Sequence, residues 1–187
     1  MSSTAAFLLD ADSVIHLHSL GLIDAICAAL QLGMIEVHCT RYVWEQELTH
    51  LRSVRERLVS AGLQVHVLTP KEPAGQTFKQ MLRERGNPGR NSKGENELIA
   101  FARHAKSSIT LVARDDGARS VASSHRIQSM DVAAFICELV CLDALPEAVA
   151  RDALAPWDSP HAGNGRPKGY NGFDPMLATW RSKRSSV

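Results

Sequence analysis

The sequence predicts an α/β fold built on a central, mainly parallel sheet, and three observations carry that expectation. Short apolar runs of strand length alternate with longer helical stretches along most of the chain. The first run, AAFLLD, ends on a carboxylate at Asp10. A later run, SITLVA, is followed by Asp115 and Asp116. Ligands bind beyond the carboxyl ends of strands in open parallel sheets, so acids in these positions converge on one edge.

AAFLLD (5–10) reads as a buried strand, and SLGLIDAICAALQLG (19–33) as an apolar helix closed by Gly33. MIEVHC is the second strand, and Thr40 is placed to cap a single helix over RYVWEQELTHLRSVRERLVSAG. LQVHVLT (63–69) is the third strand, punctuated by Pro70 and Pro73 before a basic helix near 75–86. GNPGRNSKG (86–94) has loop chemistry throughout. Helix ENELIAFARHA, strand SITLVA (108–113), helix DGARSVASSH, a short strand around IQSM and helix VAAFICELVCLDAL complete the alternation. After Pro146 the pattern weakens. PEAVARDALA reads as one more helix and DSPHAGNGRPKGYNG as an irregular segment. Residues 1–145 are therefore assigned to one domain and 146–187 to a partly helical, partly irregular C-terminal extension. Trp157, Met176 and Trp180 in that extension either offer a docking surface or fold back onto the domain.

Composition narrows the function classes. The 187 residues are 44% hydrophobic and 22% charged, ordinary for one globular domain. No window approaches 18 uninterrupted apolar residues and MSSTAAFLLD carries no basic leader, so a cytoplasmic protein is expected. Cys27, Cys39, Cys137 and Cys141 lie in apolar surroundings and read as buried thiols. A formal net charge of +1 gives no global basic field. Local clusters exist: Lys71, Lys79, Arg83, Arg85, Arg90 and Lys93 in one stretch, and Arg181, Lys183 and Arg184 near the C-terminus. Either suits contact with phosphates or a solvated face. There is no Ser-His-Asp grouping, and GNPGRNSKG lacks the spacing of a phosphate-binding loop.

Two glutamates fall where carboxylates are costly. At ~100° per residue, Val43, Trp44, Leu48, Leu51, Val54 and Leu58 share one face of the helix after Thr40. Glu47 projects inside that face, about 40° past Val43, while Glu45 points about 130° from its centre. Glu95 likewise sits with Leu98, Ile99 and Ala102, and Glu97 points elsewhere. Snorkelling accounts for one such residue, and helix capping for the other. Asp10, Glu47, Glu95 and Asp115 together call for a cation, since carboxylates gathered on one edge raise each other's pKa. All-oxygen donors suit Mg²⁺ or Mn²⁺ rather than zinc.

These segments resemble the PIN-domain family of metal-dependent ribonucleases, most closely a compact bacterial branch. LLDADSVIHLHSLGLIDAI is similar to that branch's opening, with Asp10 as the first metal-binding acid. TRYVWEQEL is similar to its second motif, with Glu47 preferred to Glu45. KGENELIAFA resembles its Gly-Glu-x-Glu-x-Ile-Ala segment, matching Glu95 to the third acid and leaving Glu97 the weaker match. LVARDDGAR resembles the fourth motif, with Asp115 as the acid and Asp116 beside it. Where the family often has Thr or Ser two residues earlier, this chain has Ala113. The resemblance covers roughly residues 5–143. It implies a three-layer α/β sandwich and a ribonuclease that hydrolyses phosphodiesters in single-stranded or structured RNA with Mg²⁺ or Mn²⁺. Arg90 and Lys93, just before Glu95, are placed to touch substrate phosphate. Many such relatives are toxins of toxin–antitoxin pairs that dimerise and are silenced by an antitoxin protein.

Two other readings stand beside it. DADSV also fits the Asp-x-Asp-x-Ser/Thr signature of haloacid-dehalogenase-type phosphatases, with Asp10 as nucleophile, Asp12 as acid/base, and Thr69, Lys93 and Asp115–Asp116 as later motifs. That reading leaves Glu47 and Glu95 without work. A PIN-like module that binds RNA or protein without cutting is the third.

Overall fold

A computed structural model describes residues 4–84, 93–159 and 166–185. Its centre is a five-stranded, wholly parallel sheet of β1 (Ala5–Leu9), β2 (Ile35–Thr40), β3 (Gln64–His66), β4 (Thr110–Val112) and β5 (Ser129–Met130), in the order β3-β2-β1-β4-β5. Parallel strands are covered on both faces, which is why β1 reads as an unbroken apolar run rather than an alternation. Helices are α1 (Ala11–Ser19), α2 (Ile23–Gln31), α3 (Arg52–Ala61), α4 (Pro73–Glu84), α5 (Lys93–His104), α6 (Asp116–Ser124), α7 (Val132–Cys141), α8 (Glu147–Asp158) and α9 (Phe173–Ser185). Phe7 meets Phe135 of α7 edge-on at 4.9 Å on one face of the sheet. On the other, Phe101 of α5 stacks at 4.0 Å on His66, which shares a 2.9 Å hydrogen bond with His38. The α/β architecture is thus a sheet between two helical layers.

The chain departs from the sequence expectations at three places. DSVIHLHS forms α1, because Asp10 caps it and its short apolar set, Val14 and Leu17, is fully buried. The expected single helix over 19–33 is therefore a second helix, bent by 110° from the first through Gly21 at φ 70°. The helix expected from 41 to 62 is broken: a π-helical turn, Val43–Glu47, is followed by non-helical backbone before α3 begins at Arg52. The third strand is only three residues, ending before the prolines. Beyond the segment read as irregular, 158–172, a thirteen-residue helix, α9, forms.

That C-terminal extension is no appendage. Leu154, Trp157, Tyr170, Phe173 and Leu177 belong to the same buried cluster as the strands. Trp180 donates its indole N–H to Glu138 of α7, and the Tyr170 hydroxyl donates to Asp158 at 2.9 Å. Among the described residues no single helix is long and apolar enough to cross a membrane; the α1–α2 pair passes only when its two bent halves are joined.

Candidate active site

Asp10 and Asp115 each follow the C-terminal end of one of two neighbouring strands, Asp10 directly after β1 and Asp115 three residues past the end of β4. Leu9 and Val112 are paired in register, and each acid caps the helix that comes after its strand. The Ser13 backbone N–H donates to Asp10 at 2.6 Å, and the Gly117 N–H donates to Asp115 at 3.0 Å. The chain runs from β1 outward to β2 and β3, then crosses back to β4 on the other side of β1. The gap between β1 and β4 is thus the switch point, where a crevice opens beyond the strand ends.

A cavity of about 570 Å³ lies there, and Asp10, Asp12, Glu47, Glu95 and Asp115 all line it, with Tyr42, Gln46 and Ala113. Glu47 arrives by way of the π-helical turn. The Leu48 N–H donates to the Val43 carbonyl five residues back at 3.1 Å, so the turn holds more residues than an α-turn. Val43, Trp44 and Leu48 fill the core, Glu45 turns outward to Arg41 at 3.4 Å, and Glu47 is left facing the cavity. Its carboxylate lies over the bare backbone of Gly94, in the first turn of α5. A Cβ at that position would come within 2.6 Å of a Glu47 oxygen. Glu95, next along, lines the same wall.

Two of the described residues named from sequence sit elsewhere. Asp116 is off the cavity wall; it pairs with Arg119 and lies 3.9 Å from Lys168. Arg119 also donates to the carbonyls of Ala113 at 2.6 Å and Arg114 at 2.8 Å, tying down the turn that carries Asp115. Lys93 opens α5 but is not part of the lining, and Arg90 lies outside the described residues. Of the phosphatase set, Asp12 is on the wall and Thr69 is not. Ala113 is fully buried there and brings no hydroxyl.

One acid is more engaged than the sequence suggested. Glu97 is only 7% exposed and accepts the Tyr42 backbone N–H at 2.8 Å. A helical projection undervalued it because α5 lies between the sheet and α4, with Gly94, Asn96, Glu97, Leu98, Ile99 and Ala100 all buried. A helix covered on several sides has no single apolar stripe to read. The signal available was the Glu-x-Glu pair itself.

The electrostatics follow from this crowding. Burial, then Asp12, raises the Asp10 carboxyl to about 6 against the pull of the Ser13 donors. Burial, then Asp10, Asp12 and Glu97, raises Glu47 to about 7. Burial also raises Glu97, opposed by Thr40 and the Tyr42 N–H. Such a wall, oxygen-only and self-repelling, fits a hard divalent cation by donor chemistry. Among the described residues no three His, Cys, Asp or Glu side chains close around one point at coordinating distance. The acids share a cavity, then, without forming a finished cage.

Comparison with protein-family models, with curated proteins and with solved structures finds no match to this chain.

Proposed function

We propose that the protein is a Mg²⁺- or Mn²⁺-dependent endoribonuclease of the PIN type. The observation that carries the reading is the shared cavity: Asp10, Glu47, Glu95 and Asp115, spread over 106 positions of sequence, line one crevice at the switch point. Their charges are compatible only with protons or a cation between them, as the elevated Asp10 and Glu47 affinities indicate. Asp10, Glu47, Glu95 and Asp115 would hold the ion, which when bound supplies Lewis acidity toward a phosphoryl oxygen. The protein's own part is to fix those oxygens. Asp10 and Asp115 are locked as helix caps, and Glu47 is seated over Gly94. Binding the ion would expel the proton that Glu47 partly retains near neutral pH and that Asp10 retains below about pH 6, so affinity rises with pH. Lys93, the first residue of α5, would meet the RNA backbone, and Arg90 is assigned the same part from sequence. A cytoplasmic setting, a homodimer and control by an antitoxin protein belong to the same reading through the family resemblance.

Incubation of total RNA with the protein and Mn²⁺, with and without EDTA and mapped at nucleotide resolution, tests it. Wild type cuts only with the metal, and Glu47→Gln and Glu95→Gln each lose cleavage by at least about a hundredfold while remaining folded. Wild-type cleavage by both variants would refute the assignment. Asp12, being on the wall, favours the phosphatase as the second reading. There Asp12→Asn is the disabling change and a small phosphomonoester the substrate. Metal-independent binding of RNA without cleavage would identify the non-catalytic module.

A further inference from the structure

We infer that Glu97 and Gly94 form a clamp on the π-helical turn: α5 holds the amide just ahead of the turn and the turn's last side chain, and so sets where the Glu47 carboxylate lies. The inference rests on the nuclease reading only for what Glu47 does, not for how it is held. Glu97 is a positioning residue, since it is not part of the cavity lining.

The first observation is the orphan amide. The opening N–H groups of any helix lack intrahelical acceptors, and the helix around Tyr42 has no side-chain cap of its own. The Tyr42 N–H is satisfied instead by Glu97, 55 positions away, at 2.8 Å. A carboxylate there also complements the positive end of the helix. Glu97 is 7% exposed, so this is a buried tie and not a surface contact.

The second observation is at the other end. Glu47 closes the π-helical turn, and its carboxylate carbon would be 2.9 Å from a Cβ on Gly94. Any side chain at 94 would move the Glu47 carboxylate from its place. Gly94 and Glu97 are three residues apart in one helix and so lie on the same face. That face grips the residue entering the five-residue turn and the residue that closes it. A π-helical turn is intrinsically poor, held within itself by few hydrogen bonds, and persists where its surroundings fix it.

Amide hydrogen exchange and steady-state RNA cleavage on two substitutions test the clamp. In Glu97→Ala the Tyr42 amide loses protection about tenfold or more, and kcat falls roughly 10- to 100-fold with KM within about twofold, as expected for a misplaced group. Glu97→Gln keeps an acceptor oxygen and restores most of the protection and of kcat. Gly94→Ala displaces only the flexible end of Glu47, so it folds; kcat falls while Tyr42 stays protected. Unchanged Tyr42 exchange in Glu97→Ala overturns the tie, and wild-type kcat in Gly94→Ala overturns the seat. Should wild type cut no RNA, the nuclease reading fails by itself, and Tyr42 exchange still decides the clamp: lost protection upholds it and retained protection overturns it.

Discussion

Asp10→Asn should stabilise the metal-free protein, and only above acidic pH. The Asp10 carboxyl rises from 3.8 to about 6 on folding, chiefly because burial disfavours its charge. Each pH unit is about 1.4 kcal/mol, so ionising this group against its surroundings costs at most about 3 kcal/mol. Its open side toward the cavity reduces that to about 1–2 kcal/mol. The sign follows from proton counting. Between about pH 4 and pH 6 the folded state binds more protons than the unfolded state, so wild-type stability falls as pH rises through that window. Asparagine cannot ionise, and it retains an oxygen for the Ser13 N–H, so the helix cap survives. Urea denaturation in EDTA should therefore find the variant about 1–2 kcal/mol more stable at pH 8 and equal to wild type below about pH 3.5. With Mn²⁺ at a hundred times its Kd the order reverses, since a bound ligand adds about 2.7 kcal/mol to wild type alone. A variant less stable than wild type at pH 8 in EDTA, or a gain that ignores pH, would show that the crowding argument is wrong.

Two further outcomes test the packing. Phe173 is 1% exposed, so Phe173→Ala should cost about 3–5 kcal/mol by chemical denaturation; a loss under about 1 kcal/mol would mean that α9 is not anchored in the common core. Asp131 caps α7 by accepting the Ala134 N–H at 2.8 Å, and Asp131→Ala should lower stability by about 1 kcal/mol, measured the same way.

What the sequence made legible is the part that local rules govern. A strand ending on an acid that also starts a helix gave Asp10 and Asp115 their place, because caps and strand ends are written in neighbouring residues. The α/β alternation was legible for the same reason. Glu47 was found by projecting an α-helix that does not exist: the real turn is π-helical. The projection succeeded because Val43, Trp44 and Leu48 are core in either geometry, leaving the same side for Glu47. The break before Arg52 was invisible, since Leu48, Leu51, Val54 and Leu58 keep a helical apolar spacing across it. Glu97 was undervalued because its partner is a backbone amide 55 positions distant, and a backbone group leaves no letter in the sequence.

The C-terminal extension shows how far a local reading falls short of the physics that holds a site. Its helices look weak in sequence because their partners are distant. Trp157 and Tyr170 meet in a T-shaped contact at 5.7 Å, and the Trp157 ring approaches that of His16 of α1 at 6.3 Å. Glu147 of α8 is bonded by Arg151 at 3.0 Å and by Arg181 of α9 at 2.8 Å, while Arg151 also reaches Asp174 at 2.6 Å. These exposed ion pairs contribute little individually; the buried aromatic contacts carry the attachment. Since α1 is the helix that Asp10 caps, Trp157 packs behind the helix leading away from the first acid, and Lys168 stands beside Asp116 at the start of α6. The extension therefore touches both helices whose first turns the cavity acids cap. A cavity whose walls repel one another gains nothing from its own charges. The geometry must be imposed from outside, as Trp157 of the extension does where it packs against α1.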